Sequence, residues 1–192
     1  MSQIKGFFSP VLEKIRLKKV AKYINKDKKA TSNILDLGCG DGRVLDFINP
    51  LYTYIGIDSD QENIWYAKHK HKENNFICSD IETLELADNV PKFDYIIMAA
   101  ILEHLNDWKI LLKLKDALAE NGKIIITTPT PFANKVHKIG AKIKIFDNDA
   151  HDEHKMLFDK KSLLALAKKI GLYVHKYETF EFGLNNFVVM EK

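Results

Sequence analysis

Cysteine is almost missing from this chain: only Cys39 and Cys78 occur among 192 residues. Two thiols in apolar, strand-like contexts, with no metal-type spacing, argue against a disulfide framework or a zinc cage. They fit a reducing compartment, so a cytoplasmic protein is expected. Proline and glycine are scarce as well, at five and nine, which excludes collagen-like and low-complexity architectures. No apolar run approaches the ~18 residues of a membrane span, and Met1–Pro10 lacks the long apolar centre of a signal peptide. Charge of one sign is also in short supply. Lysine plus arginine minus aspartate plus glutamate is 29 − 26 = +3, too little by itself to indicate nucleic acid.

What is present suits one enzyme-sized domain over residues 1–192. Hydrophobic residues make up 46%, enough for an ordinary core, and the length lies within the ~100–200 residues of a single domain. The modest positive charge is concentrated at one end. From Lys5 to Lys29 there are eight lysines and Arg16 against Glu13 and Asp27. Such an arm reads first as the solvated face of a helix, and second as a peripheral contact for phosphates or an anionic membrane.

Along the chain, Pro10 opens a helical pattern carried by Val11, Leu12, Ile15, Val20 and Ile24. Short strands are predicted at Ile34–Leu37, Tyr52–Ile57, Asn75–Cys78, Asp94–Ala99 and Lys123–Thr128. Between them helices are expected at Arg43–Ile48, at Asp60–Lys72 with Asp60 as N-cap, and at Leu105–Ala119 closed by Asn121-Gly122. A helix from Asp159 to Ile170 ending at Gly171 and an antiparallel pair, Leu172–Phe180 with Asn185–Met190, complete the pattern. Strand–helix alternation of this kind predicts a mainly parallel sheet with helices on both faces.

In such a sheet, ligands bind beyond the carboxyl ends of the strands, and unusual residues stand at those points. Strand one runs into Asp36-Leu37-Gly38-Cys39-Gly40-Asp41-Gly42, whose alternate glycines permit a tight turn and close backbone approach. Asp58 follows strand two, 58 − 38 = 20 residues after Gly38, where an acid can accept both hydroxyls of a ribose. Asp80 follows strand three, placed to accept a hydrogen bond from an exocyclic amine. A dinucleotide loop, G-x-G-x-x-G, would need glycine at position 43, which is Arg43. A nicotinamide-dependent oxidoreductase is therefore the weaker reading.

The pattern resembles the class I S-adenosylmethionine-dependent methyltransferases, including their ubiquinone-biosynthesis-like group. The likeness rests on Ile34–Val44, Ile57-Asp58, Ser79-Asp80-Ile81, Phe93–Ile97, Leu102-Glu103-His104-Leu105 and Gly122–Ile126. It implies a Rossmann-like, doubly wound α/β/α sandwich of seven strands with the last inserted antiparallel. Carried onto this sequence, Gly38, Cys39 and Gly40 would cradle the methionine part of S-adenosylmethionine, and Asp36 would orient its amino group. Asp58, with Ser59 beside it, would hold the ribose, and Asp80 with the backbone of Ile81 would read the adenine. Met98 and Ala99 would line the site near the sulfonium.

Methyl transfer needs an acceptor held in line, and a hydroxyl acceptor gains from a base. His104 and His154 are the candidates, the latter in His151-Asp152-Glu153-His154. Some quinone-biosynthesis members bind a divalent metal through E-x-x-E-H. Here Ala100 stands where the first acid belongs, so no metal is expected. The Asn/Asp-Pro-Pro-aromatic motif of nucleic-acid methylation is missing as well. Acceptor choice then falls to residues 1–30 and to an insert at 130–158. The insert's Phe132, His137, Lys138, Lys142, Lys144 and Phe146 suit an anionic small molecule. A small-molecule O-methyltransferase is the expectation, and a catalytically silent cofactor-binding partner subunit is its rival. Oligomeric state is left open.

Overall fold

The computed structural model describes residues 9–27, 29–86, 90–133 and 156–192. Seven strands form one sheet: β1 Asn33–Leu37, β2 Thr53–Asp58, β3 Asn75–Cys78, β4 Phe93–Ala99, β5 Leu118–Pro129, β6 Tyr173–Phe180 and β7 Asn185–Glu191. Their spatial order is β3-β2-β1-β4-β5-β7-β6. Strands β1 to β5 run parallel, while β7 pairs antiparallel with both β5 and β6. The expected antiparallel insertion of the last strand is thus present. The order reverses between β1 and β4, and this switch point is where a crevice opens at the carboxyl edge.

Period-two alternation divides the core into two layers. Leu35, Leu37, Ile96, Met98, Ile124, Ile126, Val188 and Met190 face one way. They are covered by α3 (Ile110–Ala117) and α4 (Lys160–Ile170), through side chains such as Leu111, Leu114, Leu163 and Ile170. On the other face, Ile34, Tyr95, Ile97, Ile125, Phe187 and Val189 meet Val20, Ala21 and Ile24 of α1 (Ser9–Ile24), and Ile64 and Ala67 of α2 (Gln61–Lys70) lie in the same layer. Strands buried on both faces need such continuous apolar runs. Cutting Ile96 back to alanine would cost about 2–5 kcal/mol.

Helix ends follow their expected signals where local chemistry decides. The Asp60 carboxylate accepts from the amides of Glu62 and Asn63 at 2.8 and 3.2 Å. Asp159 and Ser162 form a reciprocal cap, and α4 stops at Gly171 in the left-handed conformation, φ 71°. Three expected bounds shift. Arg43–Asp46 is a single 3-10 turn, because the room between Gly42 and Asn49-Pro50 is too short to nucleate a stable helix. Helix α3 starts at Ile110 rather than Leu105: Leu105 is extended, the Asp107 carboxylate accepts from the Lys109 amide at 3.0 Å, and Asn106 is bonded to Glu82. Asn121-Gly122 forms a bulge within β5 instead of a helix end. The partner register jumps there, and a Cβ on Gly122 would sit 2.7 Å from the Phe93 carbonyl oxygen.

Helix α1 runs opposite to the strands. Glu13, in its first half, pairs with Arg43 at 3.0 Å beside the glycine loop. Just past its end, Asp27 accepts from the Tyr95 hydroxyl at 2.6 Å near the start of β4. Among the described residues, no helix is long and apolar enough to cross a membrane.

Candidate functional site

The turn after β1 is closed by backbone hydrogen bonds, to which one side chain, Asp58, is added. The amides of Gly38 and Cys39 both donate to the Ile57 carbonyl, at 2.8 and 3.1 Å, and Gly42 donates to Cys39 at 3.0 Å. Gly38, Gly40 and Gly42 have φ of 71°, 54° and 78°, a region costly for a residue with a Cβ. Their surroundings differ. A Cβ on Gly38 would lie 2.0 Å from Cδ1 of Ile101, whereas one on Gly40 would meet nothing within 4 Å among the described residues. Gly38 closes the loop against the segment after β4, and Gly40 presents bare backbone to open space. The Cys39 side chain turns inward against Gly56, and burial pushes its thiol well above the ordinary range. Its backbone, not its sulfur, belongs to the edge.

Asp58 stands at the end of β2. Its Oδ2 accepts from the Gly40 amide at 2.8 Å and its Oδ1 from the Asp60 amide at 2.9 Å. An ionised carboxylate offers about four lone-pair sites, so two bonds fix its orientation and leave one site on each oxygen. The Ser79 amide donates to the Asp58 carbonyl at 3.0 Å, and Cys78 Sγ contacts the Ser59 carbonyl at 3.6 Å. These bonds draw the ends of β2 and β3 together. Asp80 is exposed, and one of its oxygens accepts from the Glu82 amide at 2.9 Å. Ile81 packs against the core.

Asp36 is 3% exposed and accepts from the Tyr54 hydroxyl at 2.7 Å. Burial raises its pKa to about 7, the Tyr54 hydrogen bond opposes that rise, and the nearby Asp58 charge adds to it. The group therefore titrates near neutrality, where a neighbouring cation would favour its ionised form.

Beyond β4 the chain turns sharply. Ala100 takes a left-handed φ of 60°, and its amide donates to both the carbonyl and Oγ1 of Thr127, at 2.9 and 3.1 Å. Met98 is fully buried in the core, whereas Ala99 is half-buried at the edge. Leu102–His104 forms a 3-10 turn. Within it Glu103 is 1% exposed, and burial raises its pKa. His104 is half-buried beside it. His154 and most of the 130–158 insert lie outside the described residues, as do Met1–Phe8.

Sequence reasoning passed over the polar side chains buried along the same edge. Asn186, fully buried at the start of β7, donates to the Phe158 carbonyl at 2.8 Å and accepts from the Tyr177 hydroxyl at 2.8 Å. The Met156 amide donates to the Glu103 carbonyl at 3.3 Å. Together these bonds seat the stretch leading into α4 against the ends of β4 and β7. Thr128 Oγ1 is buried nearby, where it opposes the rise that burial imposes on the Glu103 carboxyl. The available signal was Asn185-Asn186 directly before Phe187-Val188-Val189-Met190: an amide at the mouth of an apolar strand needs a buried partner.

The sequence profile of a family described as a methyltransferase domain matches residues 12–177. The ubiquinone biosynthesis O-methyltransferase of Pelagibacter ubique (strain HTCC1062) is 29% identical over 200 residues, spanning 93% of this chain and 81% of that protein. The malonyl-[acyl-carrier protein] O-methyltransferase of Bacillus cytotoxicus (strain DSM 22905 / CIP 110041 / 391-98 / NVH 391-98) is 36% identical over 107 residues, with 53% of this chain and 36% of that relative covered. The ubiquinone biosynthesis O-methyltransferase of Rattus norvegicus matches over 50% of this chain and 30% of its own length. The chain thus spans most of the first of these relatives and about a third of the other two. Among solved structures, a plantazolicin methyltransferase in complex with SAH superposes with TM-score 0.77 at 19% identity, covering 96% of this chain and 86% of that one. Magnesium protoporphyrin IX methyltransferase from Synechocystis PCC 6803, also with bound SAH, gives 0.76 at 13% identity, covering 100% and 90%. At such identities these two likenesses speak for the fold.

Proposed function

The chain belongs to the methyltransferase-domain family over residues 12–177, and from that premise we propose that it transfers the methyl group of S-adenosylmethionine to an oxygen of a small-molecule acceptor. The observation that carries this reading is the Asp58 carboxylate, braced by the Gly40 and Asp60 amides with one acceptor site left on each oxygen. Two adjacent hydroxyls of a ribose match that arrangement. The open space over Gly40 fits the rest of the group, since backbone amides can meet a ligand there without a Cβ in the way.

In this reading Asp58 and Ser59 hold the ribose, and Asp80 takes the adenine amine on its free carboxylate oxygen beside the backbone of Ile81. Gly38, Cys39 and Gly40 form the wall along the methionine part, with Asp36 attracting its ammonium through the floor of the turn. Ala99 borders the reacting end, and Met98 supports it from the core. When bound, S-adenosylmethionine supplies a methyl group already activated by its sulfonium.

The residues' work is then to hold, orient and exclude water. An acceptor kept in line gains from pre-paid orientation. His104 is the group we assign to receive the acceptor's proton. Glu103 is buried beside it. His154 is the second candidate. The relatives named O-methyltransferases support oxygen as the acceptor atom.

Isothermal titration of the full chain and an Asp58→Ala variant with S-adenosylmethionine, S-adenosylhomocysteine and NADH tests this directly. Both sulfur nucleotides are expected to bind, with affinity about 10- to 100-fold weaker in the variant, the loss of charge-assisted hydrogen bonds. Binding of NADH alone would overturn the assignment.

A further inference from the structure

The turn between β6 and β7 carries an unusual conformation for its composition. Glu181, Phe182 and Gly183 have consecutive left-handed φ values of 50°, 56° and 83°. Two of these residues bear a Cβ, which costs roughly 1–2 kcal/mol each. Glycine or asparagine would make the turn at less cost. The strain is nevertheless held firmly. Gly183 donates to Phe180 and Leu184 to Glu181, both at 3.1 Å, and Thr130 reaches the Leu184 and Gly183 carbonyls through its amide and hydroxyl, both at 2.8 Å. The result is a phenylalanine, Phe182, that is 100% exposed on a rigid mount.

Beside it lies α1. Val11 and Ile15 are 52% and 44% exposed, and a largely apolar groove of about 360 Å³ runs between the helix and the turn, lined by Leu12, Ile15, Lys18, Phe180, Phe182 and Leu184. Lys14, Lys18 and Lys22 stand exposed along the same helix, without a carboxylate partner among the described residues. The neighbouring acids are already engaged: Glu13 with Arg43, Glu178 with Lys19, and Glu181 with Asn185. An apolar wedge flanked by unneutralised lysines matches an interface with acyl chains below and anionic headgroups around it.

We propose that this face, Phe182 with Val11, Ile15 and the α1 lysines, is a docking surface for an anionic lipid bilayer. Phe182 and the exposed aliphatics enter the headgroup boundary, and the lysines lie against lipid phosphates. Because β6 runs parallel to β1–β5, its turn sits at the carboxyl edge of the sheet. Docking therefore places the candidate active edge beside the membrane surface, within reach of an amphiphilic acceptor. The surface stands independently of the cofactor assignment.

Co-sedimentation of the full chain with phosphatidylglycerol-containing vesicles, against pure phosphatidylcholine vesicles, tests it. Binding to the anionic vesicles alone is expected. It should weaken by about a hundredfold or more when Lys14, Lys18 and Lys22 are all changed to glutamate, and by about ten- to a hundredfold in Phe182→Ala. Concentrated salt should release it. Retained circular dichroism and unchanged S-adenosylhomocysteine affinity establish that each variant is folded. Binding to neither vesicle, equal binding to both, or full binding by the variants overturns the proposal. So does a dimer in sedimentation velocity that Phe182→Ala dissociates, which assigns the face to a second copy. Vesicle binding gained only on removing residues 1–8 overturns it as well, and gives the groove to the chain's own terminus.

Discussion

The two halves of the carboxyl edge are built by different means. Beyond β1, β2 and β3 the site is made of backbone: glycine turns, amides aimed at one carboxylate, and strand ends tied amide to carbonyl. Beyond β4, β5 and β7 it is made of buried polar side chains far apart in sequence, Glu103, Thr128 and Asn186, with Phe158 and Met156 drawn onto them. The first half suits a ligand whose shape never changes, because its amides are offered by the backbone whatever side chains flank them. The second can be retuned by single substitutions, as acceptor specificity requires.

Within the first half, two glycines two positions apart provide the largest test. Gly38→Ala combines left-handed strain with a Cβ 2.0 Å from Ile101, and should destabilise the chain by about 2–5 kcal/mol, read as a fall in thermal midpoint. Gly40→Ala carries only the conformational penalty, about 1–2 kcal/mol, yet should weaken S-adenosylhomocysteine binding in titration. Equal effects at both positions would remove the distinction between a closing and a presenting glycine.

Across the divide, Asn186→Ala strips the partners from the Phe158 carbonyl and the Tyr177 hydroxyl, a loss of about 1–3 kcal/mol in denaturant unfolding. Cofactor affinity should stay within about twofold of the parent, since the lost bonds lie outside the first half. A comparable drop in cofactor affinity would mean that the two halves are one unit.

The smallest effect is a pH dependence from Asp36. Its folded pKa of about 7 exceeds the ordinary 3.8, so the folded chain keeps a proton that the unfolded chain has released. Stability contributed by this group is fully present below about pH 4 and is lost as pH rises through about 7. Asp36→Asn should flatten that slope. In the reading where Asp36 meets the ligand's ammonium, S-adenosylhomocysteine affinity should instead rise with pH up to about 7, by at most tenfold per unit, and the asparagine variant should lose the trend.

Sequence pattern made the first half readable because its demands are local. A left-handed turn requires glycine, and a ribose acceptor requires an acid at a fixed distance along one strand–turn–strand unit. Short apolar runs alternating with helical patterns likewise announced the sheet, and Asp60 and Gly171 announced helix ends. The second half depends on tertiary meetings that no spacing encodes: β7 brings Asn186 to Phe158, 28 residues earlier. The late start of α3 has the same origin, since Asn106 is engaged by Glu82 from another loop. Leu105 through Lys109 read as helix only while that partner is unseen.

The position of β7 also bears on how the protein comes into being. A ribosome delivers the strands in sequence order, and β1 to β5 can pair as they emerge. Strand β6 cannot join them, for its ladder in the sheet is with β7 alone. Until β7 is released, β5 keeps an open edge and β6 has no seat, so the acceptor half of the site is assembled in one late step, after the cofactor half can already exist.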